Sequence, residues 1–516
     1  MSSVTSTATG TGSPPSAAQG SARLTRLLAW TAAAGIGSSI LIMILASAVR
    51  YSPAVPPPPW TSGLPLLEIA GRLPAAPAYV ALWAAAILGG GGVLAGLAAV
   101  ARGARFPGRL IIAAALVAVA AFAVFPPAGS TDTLSYATFG RIEALGHNPY
   151  VMTPGQLDQT GDPIGKLAPL IWRNSGSVYG PLATMEEWAA AELGGTSAAQ
   201  IVFWLKLWNA IVFGAMVLGL DRLLRHDPAR RARAHLLWSL NPLVLWDVVA
   251  SGHLQGLATA ASFLGLVLLR TEGRQPDSRV PGPGALSALA AGALVGVAAD
   301  FLLYYLILGL ALAWALRRWR AELIAAVAGM SVVVALPYLS LGSPSIHALL
   351  RRGGKVSADN FYQLFSASFR HPLSHSSSLL VVLACAIGAA LLLWRLPDAT
   401  ADLPAIQPAL AVGTAWVFLW YYQLPWYDAL IIALLALYPA SRLDYVVIVQ
   451  LTAGALALMP GGTPYQPALG WLRTSAHAIL HVWTPLAALG AVIAVVWLCV
   501  SGAWNARAVS PAGQFR

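Results

Sequence analysis

The chain has 516 residues, of which 57% are hydrophobic and only 10% charged, with a mean hydropathy of +0.68 and a formal net charge of +11. Soluble domains carry about 25% charged residues, so the composition excludes a soluble globular protein and defines a polytopic membrane protein. The basic residues are scattered among short loops between apolar runs, which is the positive-inside pattern and excludes a nucleic-acid-binding stripe.

Residues 1–22 are mostly Ser, Thr, Gly, Ala and Pro without apolar periodicity. A disordered cytoplasmic tail is expected there. The run behind Arg23 and Arg26 is too long for a signal peptide. Apolar runs near the length of a hydrocarbon core follow at 27–49, 78–101, 110–125, 198–220, 235–250, 256–270, 284–299, 301–316, 322–339, 379–396, 406–422, 427–440, 445–459 and 478–500. The expected fold is an all-α polytopic membrane protein over residues 23–500, with about 14 (12–14) transmembrane helices and a second cytoplasmic tail at 501–516. The tight basic turns Arg102–Arg109 and Arg317–Arg320 put both termini in the cytoplasm of a plasma membrane.

That orientation places two long loops, 126–197 and 340–378, on the extracytoplasmic face, together with the Pro425-Trp426-Tyr427-Asp428 turn and the Pro460-Gly461-Gly462 loop. Long loops in compact proteins usually carry function. No inverted pair of interrupted helices, the transporter signature, is legible. The Gly89–Gly92 run reads as a packing or hinge feature within a helix.

The first long loop opens on Thr131-Asp132-Thr133-Leu134-Ser135-Tyr136 and runs through Gly140-Arg141, Glu143 and His147-Asn148-Pro149-Tyr150. Leu134, Thr138, Ile142 and Leu145 share one helical face, and Tyr136, Gly140 and Glu143 the other, so a short helix lying in the membrane interface is expected. Asp132 reads either as a general base at the bilayer surface or as a helix N-cap, and the roles are compatible. Arg141 reads as a bidentate phosphate donor or as a snorkelling interfacial side chain. Glu143 reads as a partner for Arg141 or His147, or as a solvated side chain. A second interfacial helix follows Tyr179-Gly180-Pro181-Leu182 and carries Glu186, Glu187 and Glu192.

Asp247 and His253, in Trp246-Asp247 and Ser251-Gly252-His253-Leu254-Gln255, lie near the outer end of a helical hairpin, and Asp300 lies at an outer corner. Ionisable groups near spans are candidates for function, against the alternative of a polar hairpin tip. Tyr421 to Asp428 forms an aromatic patch, either an interfacial belt or a wall for a sugar ring or prenyl chain. The pairs His371/His375 and His477/His481 have metal-compatible spacing but lack a third ligand, and Cys385 and Cys499 lie in apolar runs. No metal site is expected. Neither a phosphate-cradling Gly-rich loop nor a nucleotide fingerprint is present.

The ordered set Asp132, Ser135-Tyr136, Gly140-Arg141, Asn148-Pro149-Tyr150, Tyr179-Gly180-Pro181-Leu182, Asn241-Pro242-Leu243, Gly252-His253 and Pro425-Trp426-Tyr427 resembles the glycosyltransferase C superfamily. It is most similar to the actinobacterial polyprenol-phosphomannose-dependent α-(1→6)-mannosyltransferases that build lipomannan. The resemblance implies an extracytoplasmic transferase that uses a polyprenyl-phosphate sugar as co-substrate, with no other cofactor, and a cell-envelope glycan or glycolipid as acceptor. It implies Asp132 as the base of an inverting displacement. Arg141, His253 and the Arg351-Arg352 pair would bind the departing phosphate, with Tyr136, Tyr179, Trp426 and Tyr427 as substrate walls. Glu143, His147, Asp247 and Asp300 would stand behind them. The sequence departs from the family at Leu254 and Gln255, where Asn or Asp often follows Gly-His, and at Asp300, near which Lys is often found. The rival readings are a transporter or flippase for a lipid-linked sugar, or a non-catalytic binder of one. A transporter should place polar groups at mid-membrane, whereas most here gather on one face.

Overall fold

The computed structural model describes residues 15–57, 66–271, 282–350, 356–365, 375–398, 402–461 and 470–504. Helices α1 (Pro15–Ala48) and α2 (Ala75–Ala101) pack side by side. Between them a short parallel ladder joins β1 (Val49–Tyr51) to β2 (Ile69–Arg72). Helix α1 begins upstream of the expected tail boundary at residue 22, since Pro15 suits the first helical position and Ala and Gln continue it. The Gly89–Gly92 run is a packing seam: Gly92 backs onto Gly35 of α1 with no room for a side chain on either.

Helix α3 (Gly108–Val124) stops where Pro126-Pro127 removes two amide donors. The first long loop holds α4 (Asp132–Ala144), α5 (Pro154–Gln159) and α6 (Pro181–Gly194). Then come α7 (Ala198–Leu223), α8 (Pro228–Ala234), α9 (Pro242–Val244), α10 (Gln255–Leu268), α11 (Ala285–Phe301), α12 (Leu308–Leu316) and α13 (Arg320–Leu341). The chain continues through α14 (Ser343–Leu350), α15 (His375–Arg395), α16 (Ile406–Leu419), α17 (Ala429–Leu437), α18 (Arg442–Leu458), α19 (Gly470–Ala478) and α20 (Thr484–Ser501).

Six of the described helices are long and apolar enough to cross a membrane: Gln19–Ala48, α2, α7, α13, Ser376–Arg395 and the continuous rod Gly470–Ser501. Shorter apolar helices, α3, α10, α11 and α16 among them, pack between these. Together with the composition, this makes the chain a membrane protein. The outward faces of α13, α15 and α20 leave Leu336, Leu339, Leu380, Leu383, Ile387, Ile493 and Val500 exposed. These apolar faces suit contact with lipid chains.

Two expected spans take another form. The run at 235–250 is broken at Asn241-Pro242, because Pro242 has no N–H to donate. Asn241 repairs the break: its side chain donates to the Leu237 carbonyl at 3.0 Å and accepts from the Leu243 amide at 3.1 Å. Helix α17 is buried at every position. At 1.5 Å per residue its nine residues span about 13 Å, less than half of a hydrocarbon core. The 235–250 segment and α17 therefore form the molecule's centre, and the longer helices surround them.

Candidate active site

Asp132 begins α4. The N-cap is Thr131, which makes no side-chain capping bond, so the N-cap reading of Asp132 is corrected. Asp132 sits in the first turn, its amide taking a 3.1 Å bond to the Ser130 hydroxyl. A carboxylate there favours the positive end of the helix dipole and remains free for another partner. That partner is His253, whose Nε2 lies 3.6 Å from Asp132 Oδ2. His253 is fully buried, while the Asp132 side chain keeps 21% of its surface accessible. The Nδ1 of His253 faces the Asp247 carbonyl. A carbonyl only accepts, so a neutral ring carries its proton on Nδ1 and turns the lone pair of Nε2 toward Asp132. Trp426 stacks on the imidazole with ring centroids 4.0 Å apart.

The aromatic surface continues from there. Tyr427 contacts Trp426 edge-on, and Tyr304 lies against Tyr427 at 5.0 Å and flat on Trp416 at 4.2 Å. On the other side, Tyr136 stands one turn beyond Asp132 and meets Tyr179 edge-to-face at 5.1 Å. Burial, with Tyr179 and Asp132 beside it, pushes the Tyr136 phenol well above its usual range. The structure thus brings Asp132, Tyr136, Tyr179, His253, Trp426 and Tyr427 into one neighbourhood.

Other expected site residues lie elsewhere. Arg141 is nine residues along α4, about 13 Å down the axis at 1.5 Å per residue, and its Nε donates to Asp162 at 2.9 Å. His147 is exposed beyond the end of α4. Glu143 lies near Glu187 of α6 and makes no salt bridge among the described residues. Residues 133–140 of α4 are all buried within the protein. Helix α4 packs on α6, and the crossing is so close that a Cβ at Gly140 would stand 1.9 Å from the Glu187 carbonyl oxygen. Asp247 is buried inside the wide helical turn Leu245–Ala250, not at a hairpin tip, with Oδ2 unpartnered among the described residues. Asp300 is buried at the end of α11, facing the Leu182 amide, while the Gly180 amide bonds the neighbouring Phe301 carbonyl at 3.4 Å. Arg351, Arg352 and His371 lie outside the described residues. The His477 and His481 rings pack together at 4.3 Å.

Several residues of the neighbourhood were not singled out from the sequence. Asp428, just after Trp426-Tyr427, is buried near Asp247 and Asp359. Lys206 and Asn209 are buried on α7, beside the two loops that carry Asp132 and His253. The signal was available: a Lys and an Asn at i and i+3 in an apolar run share one helix face and need partners in the protein.

The fold and this neighbourhood define a helical membrane protein with a carboxylate–histidine pair set against an aromatic wall. Residues 32–318 match the family described as alpha-(1->6)-mannopyranosyltransferase, N-terminal domain. The match takes in more than half of the chain, which belongs to that family. A probable alpha-(1->6)-mannopyranosyltransferase of Mycolicibacterium smegmatis is 31% identical over 153 residues, 29% of this chain and 26% of that relative. The aligned stretch thus spans about a quarter of the relative's length. Asp132 and His253 lie inside the family match, whereas Trp426 and Tyr427 come from beyond it.

Proposed function

We propose that this protein is a glycosyltransferase that moves a mannosyl residue from a polyprenyl-phosphate donor to a cell-envelope glycan or glycolipid, such as a lipomannan precursor, on the extracytoplasmic face. In this reading about 12 helices cross the plasma membrane, both termini are cytoplasmic, and the first long loop faces outward.

The observation that carries the proposal is the pairing of a partly accessible Asp132 with a buried His253 that stacks on Trp426, in a chain of this family. An inverting transfer is one displacement and needs one base. The acceptor hydroxyl attacks the anomeric carbon from the face opposite the phosphate, its proton passes to Asp132, and the bond from the anomeric carbon to the phosphate oxygen breaks. The lone pair of His253 Nε2 can take that proton onward. Aromatic faces suit the C–H edges of sugar rings, and the Trp426–Tyr427–Tyr304–Trp416 tract offers several in a row. The prenyl chain remains in lipid beside the exposed apolar helices.

The test is transfer from a radiolabelled polyprenyl phosphomannose to an α-(1→6)-linked dimannoside in membranes that contain the protein. Wild type transfers label, and Asp132→Asn at equal expression does not. Full transfer by the variant removes Asp132 as the base. No transfer by wild type removes the function.

A further inference from the structure

We infer that Lys206 and Asn209, on one face of α7, are positioning residues that fix Asp132 against His253 by gripping the backbone of both loops; this rests on the transferase reading above. Pro126 and Pro127 have no amide hydrogen to continue α3, so the Phe125 and Pro126 carbonyls just past its end have no helical donor. Lys206 supplies one: its ammonium donates to the Phe125 carbonyl at 2.5 Å and the Pro126 carbonyl at 3.2 Å. One turn on, Asn209 Nδ2 donates to the His253 carbonyl at 2.5 Å and the Val248 carbonyl at 3.2 Å.

The two loops are also tied directly to each other. The Ser251 hydroxyl donates to the Ala128 carbonyl at 2.7 Å, the Ala128 amide to the Ala250 carbonyl at 3.1 Å, and the Thr133 hydroxyl to the Ser251 carbonyl. The turn at Gly252 closes this arrangement. Its φ is +66°, and a Cβ there would stand 3.0 Å from Lys206 Cγ, so the loop lies directly on the lysine stem. Neither side chain reaches the substrate side: Lys206 is fully buried and Asn209 is 1% exposed. A buried ammonium is costly to place in an apolar helix. Here both of its partners are carbonyls of the segment that leads into Asp132.

The experiment compares wild type, Lys206→Met and Asn209→Ala, purified whole in detergent, with polyprenyl phosphomannose and a dimannoside acceptor. Misplacing a reacting group by about 1 Å costs about 10²-fold in rate, so kcat falls on that scale in Lys206→Met while the donor KM is unchanged. The acidic limb of the kcat–pH profile moves, because the distance from Asp132 to His253 is no longer fixed. A profile that keeps its shape and loses only amplitude overturns the inference. Hydrogen exchange supplies a readout that needs no activity. The amides of Ala128, Gly129, Ser251 and His253, all hydrogen-bonded here, exchange faster in both variants while the other helices do not. Unchanged exchange overturns the clamp even if wild type transfers no sugar, an outcome that by itself removes only the transferase reading. Failure of both variants to fold overturns it too, since the pair would then support the whole fold and not this site.

Discussion

Two buried polar centres lie at opposite ends of α17, and they are built on opposite principles. At one end Arg233 makes a two-pronged pair with Asp444 at 2.7 and 2.5 Å and also donates to the carbonyls of Leu435 and Tyr438. Both side chains are nearly inaccessible, at 3% and 2%. Asp444 in turn accepts from the Ser441 amide in a capping box. All three nitrogens of the Arg233 guanidinium meet acceptors, and solvent has almost no access to the pair. At the other end, beyond Trp426-Tyr427-Asp428, Asp132 and His253 face each other at 3.6 Å, too far for a formed hydrogen bond, with the carboxylate partly open. Behind them Asp247 keeps an oxygen with no partner among the described residues. A structural polar centre completes its bonds. A reactive one holds unused capacity next to an opening, and that difference separates the two.

The largest expected effect comes from the open centre. Asp132→Asn keeps the shape and removes the base, so transfer falls by about 10³-fold while the melting temperature in detergent stays within experimental scatter. A variant that melts early and transfers in proportion to its folded fraction would make Asp132 a structural group like Asp444. The closed centre gives the converse. Arg233→Met strands Asp444 without its cation, and removing one partner of a buried ion pair costs about 3–5 kcal/mol. Thermal unfolding then drops sharply, and the molecules that remain folded transfer at the wild-type rate. A lower rate per folded molecule would join the two centres into one functional unit.

Much of this contrast was written in the sequence, but unevenly. The apolar runs fall on helices because a bilayer requires every backbone group to be satisfied within its segment, which leaves a long and unmistakable pattern. Asp132, His253 and Trp426 were legible as polar or aromatic breaks in that pattern. What was hidden depends on chain-to-chain approach. Composition does not tell that α4 is covered by α6, because its second face carries Gly140 and Tyr136, which suit a lipid interface as well as a helix seam. Asp162, which takes Arg141, stands in a part of the loop with no periodicity. The break at Asn241-Pro242 reads as a turn signal, and only the tertiary structure shows that the turn is enclosed within the protein. Asp428 was masked by the aromatic tract before it, which is equally suited to an interfacial belt.

The seam of α4 and α6 sharpens the comparison further, with a smaller effect. Gly140→Ala places a methyl where the Glu187 carbonyl already stands, and overpacking of this kind costs about 1–3 kcal/mol. The seam adjoins the open centre through α4, so both quantities move: stability falls, and kcat falls beyond the loss of folded protein because α4 carries Asp132 at its start. A fall in stability alone would show that the two ends of α4 are mechanically independent.

The smallest effect concerns the carboxylates at that seam, Glu187 buried and Glu143 and Glu186 partly exposed, which keep oxygens without a partner among the described residues. Burial, and then the charges of Glu186 and Glu143, push Glu187 well above the usual carboxylate range. Burial alone raises Glu186 to about 8 and Glu143 to about 7, from 4.5. A group whose folded value is raised binds more protons folded than unfolded, so its contribution is complete below the unfolded value and is lost as pH rises. The window runs from about pH 4.5 up through about 8, the span of the Glu143 and Glu186 values. The melting temperature in detergent should therefore fall between pH 5.5 and 8.5, and Glu187→Gln, which keeps the shape without the charge, should flatten that slope. A melting temperature that rises over this interval, or a slope unchanged in Glu187→Gln, would mean that a cation or a hydrogen-bond donor meets these carboxylates after all. The seam would then resemble the Arg233–Asp444 centre, and unsatisfied carboxylates would no longer distinguish a reactive centre from a structural one in this protein.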